Sequence, residues 1–409
     1  MDIAEEISRR AALAGLTAGA AAIGLSRGVK ADAPEIVFGA PNSLTGGLAE
    51  SGLFGVAGIT IAVNKINAEG GIKSMGGAKI KLVVGDTSSE NSAQAAGLTQ
   101  RMIDQDKASV ILGASNGAMT LAAQVICEKA QVPLITNSYP DALVERGMKY
   151  TFKTMPQGGA IWNYGMDTVY DMIKATRGTP PKNCVIIQSN DAVGLEVQKQ
   201  LPEEAKKIGL PVLKSFGYQM GLIDPTTVVA PILQTKPELI FYGGFINDLI
   251  LVINAIRSLG ITAPIVNGGT FNFDSALNGL GKNTEHLMGV CTGTWDMPVP
   301  GVKDVIDAYR KLYPDKSPYP ASDQLLVGYC NAIIMRDALE KAGTTDGPKL
   351  RDVLANTEFT NLPVAAEGGK VKFAPNGLNI YNNSVLAEWV DGKLHTIWPK
   401  RLQTVAPQI

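Results

Sequence analysis

Histidine is almost missing from this chain: His286 and His395 are the only two among 409 residues. That scarcity leaves little room for imidazole-based metal or acid–base chemistry, and no HExxH or Cys/His cluster occurs. Cysteine is scarce as well. Cys127, Cys184, Cys291 and Cys330 stand far apart, without metal-ligand spacing, each inside an apolar run. They read as small core hydrophobes, with no particular disulfide pair indicated. Neither sign of charge is in excess: 37 basic residues face 38 acidic ones. This balance excludes the basic footprint expected for nucleic acid or for an anionic membrane surface. No apolar run is long enough to span a bilayer, which needs about 20 residues. No phosphate-binding loop is present either. Gly279-Leu280-Gly281-Lys282 lacks the preceding glycine, and no GxGxxG follows a strand. Metal, nucleotide and nicotinamide cofactors are therefore not expected.

What is present begins with Ser8-Arg9-Arg10, an apolar stretch over 11–25, and small residues at Ala31 and Ala33. This is the pattern of an export signal over 1–31, and the adjacent arginines favour the twin-arginine route. Ala31 is the better cleavage point, because Pro34 follows Ala33. The expected destination is the periplasm, with no stable membrane insertion.

The remaining chain is long enough for two domains. Short apolar strands at 35–40, 79–85, 109–114 and 132–136 alternate with helical patterns at 51–69, 92–106 and 116–130. Gly70-Gly71 marks the end of the first helix. The rhythm restarts after Lys153. Strands are predicted at 184–188, 213–218, 238–242 and 264–266, with helices at 194–208 and 247–259. Strands and helices alternating at this spacing predict α/β lobes, doubly wound around parallel sheets. The last quarter changes character. Val302, Val305, Ile306, Tyr309 and Leu312 share one helical face, and a longer helix over 325–341 turns Leu326, Tyr329, Cys330 and Ile333 inward. A hairpin closes the chain around Asp391-Gly392.

Open parallel sheets gather ligands beyond the carboxyl ends of their strands. One motif there permits an enzyme reading. Gly113-Ala114-Ser115-Asn116-Gly117 matches GxSxG between a strand and a helix, so Ser115 is a candidate nucleophile with His286 or His395 as base. A glycine-rich oxyanion segment is missing. The alternative is a polar helix start, whose unpaired N–H groups and partial positive charge suit a carboxylate. Binding without catalysis is the preferred expectation.

The order of further motifs carries a family resemblance. They are Leu44-Thr45-Gly46, Ile66-Asn67-Ala68-Glu69-Gly70-Gly71-Ile72, Asp86, Val110-Ile111-Leu112-Gly113-Ala114-Ser115, Val132-Pro133-Leu134-Ile135-Thr136, Phe241-Tyr242-Gly243-Gly244-Phe245, and Gly328-Tyr329 with Ala332. With these motifs the chain resembles the branched-chain amino-acid and amide binding proteins of ABC importers, the class I periplasmic binding proteins. The resemblance implies two Rossmann-like lobes, 34–155 plus 297–376 and 156–296 plus 377–409, joined by three crossovers at a hinge. It also implies a small ligand held in the interlobe cleft, hinge closure, a monomer, and delivery to an inner-membrane permease. A sensory role that presents ligand to a membrane receptor is the other fate of such a fold.

The same resemblance implies the site. Segments matching Ser115-Asn116 and Asn137-Ser138 hold the ligand carboxylate in the amino-acid binders. Ser51 matches a position near the ligand in the amide branch. Asp191 and Val193 precede the helix that begins the second lobe's winding, and an aromatic is common at Val193. Phe245 stands where a tyrosine is common. Where an acid receives the ligand ammonium, this chain reads Asn267-Gly268-Gly269-Thr270, so Gly269 lines the site without charge. A buried ammonium lacking an anion costs several kcal/mol, against about 8 kcal/mol for micromolar binding in total. An amino-acid ligand would then need Asp191 or Asp248, and an amide or a small organic or aromatic acid is expected as readily. Trp162 and Trp295 are possible stacking platforms, with Trp295 expected to serve in hinge packing.

Overall fold

The computed structural model describes residues 35–89, 91–156, 158–190 and 192–409. The export signal over 1–31 lies outside them, as do Asp191 and the Val193 side chain. The chain forms two units. The first contains 35–155, 307–314 and 324–382, and the second contains 156–306, 315–323 and 383–409.

In the first unit, β1 (Ile36–Asn42), β2 (Ile80–Asp86), β3 (Ala108–Leu112), β4 (Leu134–Thr136) and β5 (Thr151–Lys153) form a parallel sheet in the order β2-β1-β3-β4-β5. The crossovers are α1 (Ala49–Ala68), α2 (Ser92–Asp104) and α3 (Gly117–Ala130). Phe38, Val110, Ile111, Leu112, Leu134 and Ile135 are fully out of water, as near-continuous apolar strands covered on both faces must be. The winding reverses between β1 and β3, which puts the ligand-collecting point of the sheet at their carboxyl ends. Local signals set the helix ends. Asn116 caps α3 by accepting from the Ala118 N–H at 2.9 Å, and Asn91 caps α2 by accepting from Gln94. The predicted stop at Gly70-Gly71 is met by φ of 111° and 76°.

In the second unit, α4 (Gly158–Arg177) leads into β6 (Cys184–Ser189), α5 (Ala192–Ile208), β7 (Val212–Tyr218), β8 (Ile240–Gly243), α6 (Ile246–Ser258), β9 (Ile265–Gly268) and β10 (Leu287–Cys291). The chain then contributes α7 (Gln324–Ala342) and the small ladder β11 (Glu358–Phe359) with β12 (Val371–Lys372) to the first unit. The hairpin β13 (Val385–Val390) and β14 (Lys393–Trp398) completes the second sheet, in the order β14-β13-β10-β9-β8-β6-β7. Strands β6 to β10 run parallel in the order β7-β6-β8-β9-β10, the same order as the first sheet, and β13 joins β10 antiparallel.

The predicted returns need correcting. Residues 297–306 and 315–323 cluster with the second unit, and 377–382 with the first. The excursion over 315–323 is held by side chains of the second unit. The Asp323 carboxylate accepts from the Thr292 N–H at 2.8 Å, the Thr292 hydroxyl at 2.9 Å and Asn272 Nδ2 at 3.0 Å. Tyr319 packs on Trp295, with ring centres 4.8 Å apart. Trp295 also meets His395 edge-on, a second aromatic contact from the second unit. Residues 377–382 stay with β5 because the Lys153 N–H donates to the Gly377 carbonyl and the Asn379 N–H to the Lys153 carbonyl. All four cysteines are buried and free, and burial pushes their thiols upward from the ordinary value.

Helix α7 lies against α1 at backbone distance. A Cβ on Gly58 would stand 2.0 Å from the Leu325 carbonyl oxygen, and one on Gly328 would stand 2.2 Å from that of Gly55. Both contacts are to backbone, which does not turn aside as a side chain would. Gly58→Ala and Gly328→Ala are therefore expected to force the helices apart. Each should cost about 1–3 kcal/mol, the usual range for overpacking, read as a lowered midpoint in denaturant unfolding.

Candidate functional site

The carboxyl end of β1 continues into Asn42-Ser43, which binds this strand to its neighbours. Asn42 Nδ2 donates to the Leu112 carbonyl of β3 at 3.1 Å. The Ser43 hydroxyl donates to the Ser88 carbonyl at 2.9 Å and lies 3.3 Å from the Thr87 hydroxyl. The helix that follows comes back onto this end: a Cβ on Gly52 of α1 would be 1.9 Å from the Ser43 oxygen. Only glycine permits that approach. It places Ser51, which is 6% exposed, at the same strand end.

Asp86, the last residue of β2, organises the loop between β1 and α1. Its carboxylate accepts from the Leu44 N–H at 2.8 Å, the Thr45 hydroxyl at 2.6 Å and the Ser88 N–H at 2.8 Å. Partial burial pushes this carboxyl up. The hydrogen bonds from Thr45, Leu44 and Ser88 outweigh it and hold the group below the ordinary 3.8.

At the end of β3, the Ser115 hydroxyl oxygen accepts from the Ser43 N–H at 3.4 Å. Its own proton remains available to donate elsewhere. Asn116 is engaged at both ends of its amide. Its oxygen caps α3, and its nitrogen donates to the Ser89 carbonyl at 3.0 Å. Beyond β4, Asn137 Nδ2 donates to Gln324 Oε1 of α7, so that amide is used in tying the loop to a helix. The Ser138 N–H donates to the Thr136 hydroxyl at 3.1 Å. The Ser138 side chain differs from the rest. It is 1% exposed, and its Oγ has no hydrogen-bond partner among the described residues.

The first unit thus gathers Ser51, Ser115, Asn116, Asn137 and Ser138 at the ends of β1, β3 and β4 and the start of α3. These groups are hydroxyls, amides and a helix N-terminus, all uncharged and rich in donors. Such a set suits a carboxylate.

The second unit repeats the device. A Cβ on Gly194 of α5 would be 1.6 Å from the Ser189 oxygen at the end of β6. Phe245, half-buried, stands just ahead of α6. Beneath its loop the Tyr218 and Tyr242 hydroxyls meet at 2.5 Å, and a Cβ on Gly244 would be 2.3 Å from the former. Gly269, at φ 98°, belongs to a turn built on Asn267. The Asn267 oxygen accepts from the Thr270 N–H at 3.1 Å and the Phe271 N–H at 3.0 Å, while Nδ2 donates to the Tyr242 carbonyl at 2.9 Å. Trp162 is buried, and a Cβ on Gly268 would contact its ring at 3.2 Å, which makes it packing for β9.

Asp248, named from sequence as a partner for an ammonium, is engaged otherwise. It is 4% exposed, and its two oxygens accept from the Gly221 and Leu222 N–H groups, each at 3.0 Å. It fixes the loop after β7. Asp191, the other acid named, lies outside the described residues.

Both histidines belong to the second unit, so the first unit offers Ser115 no imidazole of its own. His395 Nδ1 is 2.6 Å from Asp296 Oδ2, and His286 Nδ1 is bonded to the Gln408 carbonyl. Sequence reading missed the Tyr218–Tyr242 pair and Asn267 as the supports of the second unit's loops. Their only signal was a polar group at or next to the carboxyl end of an apolar strand.

The periplasmic binding protein family matches residues 35–393, and the chain belongs to that family. It is 27% identical over 379 residues to the Leu/Ile/Val-binding protein homolog 8 of Brucella melitensis, covering 90% of this chain and 91% of that one. The branched-chain amino-acid transporter substrate-binding protein LivJ of Streptococcus pneumoniae, solved with isoleucine, has a similar fold. Its TM-score is 0.75 at 23% identity, over 88% of this chain and 97% of that one. A solute-binding protein of an ABC transporter from R. palustris, solved with benzoate, gives 0.71 at 20% identity, over 91% and 98%.

Two outcomes follow from the site. Because Asp86 is held below 3.8 in the folded protein, its stabilising contribution is complete above its unfolded value and is lost as pH falls through the folded one. The stability gap between wild type and Asp86→Asn should be full above about pH 5 and close progressively below pH 4, followed by urea unfolding at each pH. The second concerns the partnerless hydroxyl. Ser138→Ala removes a buried group whose unmet hydrogen bond costs about 1–3 kcal/mol. Unliganded Ser138→Ala should melt at or above the wild-type temperature, read by thermal denaturation.

Proposed function

We propose that the protein is the solute-receiving component of an ABC importer, that it works in the periplasm without catalysis, and that its solute is a small carboxylic acid whose recognition needs no ammonium group. The observation that carries this reading is the Ser138 hydroxyl, buried at the strand ends without a partner. It stands among neutral donors, as a group kept for an outside acceptor would. An acid is favoured over an α-amino acid by the engagement of Asp248 with two backbone N–H groups and by asparagine at position 267. The benzoate-bound neighbour supports an aromatic acid, and the isoleucine-bound neighbour makes an amino acid the competing solute.

In this reading the acid receives hydrogen bonds from Ser115, Ser138 and the start of α3, with Ser51, Asn116 and Asn137 shaping the same wall. The family resemblance adds Asp191, Val193, Phe245 and Gly269 of the second unit as further candidate contacts to the solute. The protein acts as a monomer and hands its solute to an inner-membrane permease. Ser8-Arg9-Arg10 supports export by the twin-arginine route.

Isothermal titration with benzoate, leucine and isoleucine tests the reading. Micromolar benzoate binding, tighter than that of either amino acid, is the expected result. Tighter binding of isoleucine would replace it with an amino-acid receptor, and covalent labelling of Ser115 by a fluorophosphonate would replace it with a hydrolase.

A further inference from the structure

Helices α4 and α5 lead into β6 and β7, which are adjacent and parallel, so both helices run toward the amino edge of the second sheet and pack side by side in the same direction. Asp167 of α4 and Glu204 of α5 meet across this seam with their carboxyl groups in hydrogen-bond contact. The Glu204 side chain is 9% exposed, and its Oε1 accepts from Lys207 Nζ at 2.6 Å. Asn163 and Gln200 each stand one turn ahead of these acids on their own helix. Asn163 Oδ1, Asp167 Oδ1 and Gln200 Oε1 are all buried, yet no N–H or O–H of the described residues reaches them. Two carboxyls therefore share one ammonium, in a seam with acceptor oxygens to spare for a further proton.

Among the described residues no second cation pairs with either carboxyl. Lys199, Glu203 and Lys206 of α5 and Asp171 and Lys174 of α4 are exposed. The strands packed on α4 are β9, β10 and β13. The first two carry no charged residue, and Cys291 of β10 is a buried thiol. Strand β13 brings Glu388, whose carboxyl accepts from the Gln408 N–H at 2.9 Å. Strands β6, β7 and β8 pack on α5, and their one charged residue, Lys214, lies over the Phe216 ring. Arg401 acts on Tyr164, at the first half of α4. Two ionised carboxylates in contact repel and neither can donate, whereas one proton between them makes the contact a hydrogen bond. Burial pushes the Asp167 carboxyl up, Glu204 beside it adds to this, and together they outweigh Lys207 and bring it to about 6. Glu204 is held below its ordinary value, chiefly by the hydrogen bond from Lys207. The proton belongs to Asp167 and the negative charge to Glu204.

We propose that Asp167 and Glu204 fasten α4 to α5 through one shared proton, making this seam of the second unit a pH-sensitive joint that is tightest in mild acid and loosens as the proton leaves. The joint acts whatever solute the protein carries. Asp167 keeps its proton to a higher pH in the folded chain than in the unfolded one. Its contribution to stability is therefore complete below about pH 4 and is lost as pH rises through the folded value.

Urea unfolding of the whole protein from about pH 4 to about pH 8 tests this, with Asp167→Asn beside wild type. Asparagine keeps a donor for Glu204 but has no proton to lose. The variant should match wild type near pH 4 and exceed it at about pH 8, where its unfolding equilibrium constant should be at least about tenfold smaller. Carbon-13 NMR of the side-chain carboxyl should show wild-type Asp167 titrating at least about one pH unit above an ordinary aspartate. Glu204→Gln, which removes the neighbouring charge and frees Lys207, should lower that midpoint by about one pH unit or more. An acid without influence on the seam predicts no gap between Asp167→Asn and wild type at any pH. An ionised Asp167 stabilised by Lys207 predicts a variant weaker than wild type at about pH 8. Either result overturns the proposal. Should Asp167→Asn fail to fold, the NMR titration decides: an ordinary Asp167 midpoint in wild type, or a raised one that Glu204→Gln leaves in place, overturns it.

Discussion

Helix α1 returns so tightly onto the strand it follows that there is no space for a single methyl group between Gly52 and the Ser43 carbonyl. Ser43 is held on its other sides by Ser88, Thr87 and Ser115. Displacing the helix would therefore displace the ends of β1, β2 and β3 together. The Asp86 carboxylate extends the same constraint to Leu44 and Thr45. The donors at this end of the sheet owe their placement to backbone packing, which is stiffer than a set of side-chain contacts. In the second unit Gly194 and Ser189 repeat the arrangement, and the strand order β7-β6-β8-β9-β10 repeats that of the first. One solution to the problem of bringing a helix back to its own strand serves both sheets.

The groups at the strand ends of the first unit are hydroxyls, amides and a helix start, which hydrogen-bond an anion without the large desolvation penalty of a buried charge beside it. Lys153, buried at the end of β5, donates to the Tyr139 and Pro140 carbonyls and pairs with Asp141, while Asp86 at the end of β2 is spent on the loop before α1.

Much of this was legible in the sequence, for reasons that particular residues make plain. The alternation of apolar strands with helices gave the two wound sheets, and Gly70-Gly71, Asn116 and Asp391-Gly392 marked ends where local chemistry dominates. Ser115 stood out in the sequence through GxSxG, whereas Ser138 was named only through the family resemblance. The excursion over 315–323 was not legible, since it depends on Asp323 reaching Thr292 and Asn272, contacts that join residues 31 and 51 positions apart. Asp248 misled for a similar reason. Its partners, Gly221 and Leu222, are backbone groups in a loop with no pattern of its own. Lys153 drew no attention in the sequence beyond marking where the rhythm restarts, and its complete burial is visible only in the fold. The strands at 151–153 and 287–291 went unassigned because runs of three and five residues carry no period to read.

The cysteines have a practical side. All four are buried, and burial drives each thiol well away from ionisation at neutral pH, so none is a ready nucleophile toward maleimides or oxidants. The chain can therefore accept one engineered thiol at a solvent-facing position such as Ile223, which is 93% exposed, and carry a fluorophore there alone. Optical sensing of its solute then requires no prior removal of the native sulfhydryls.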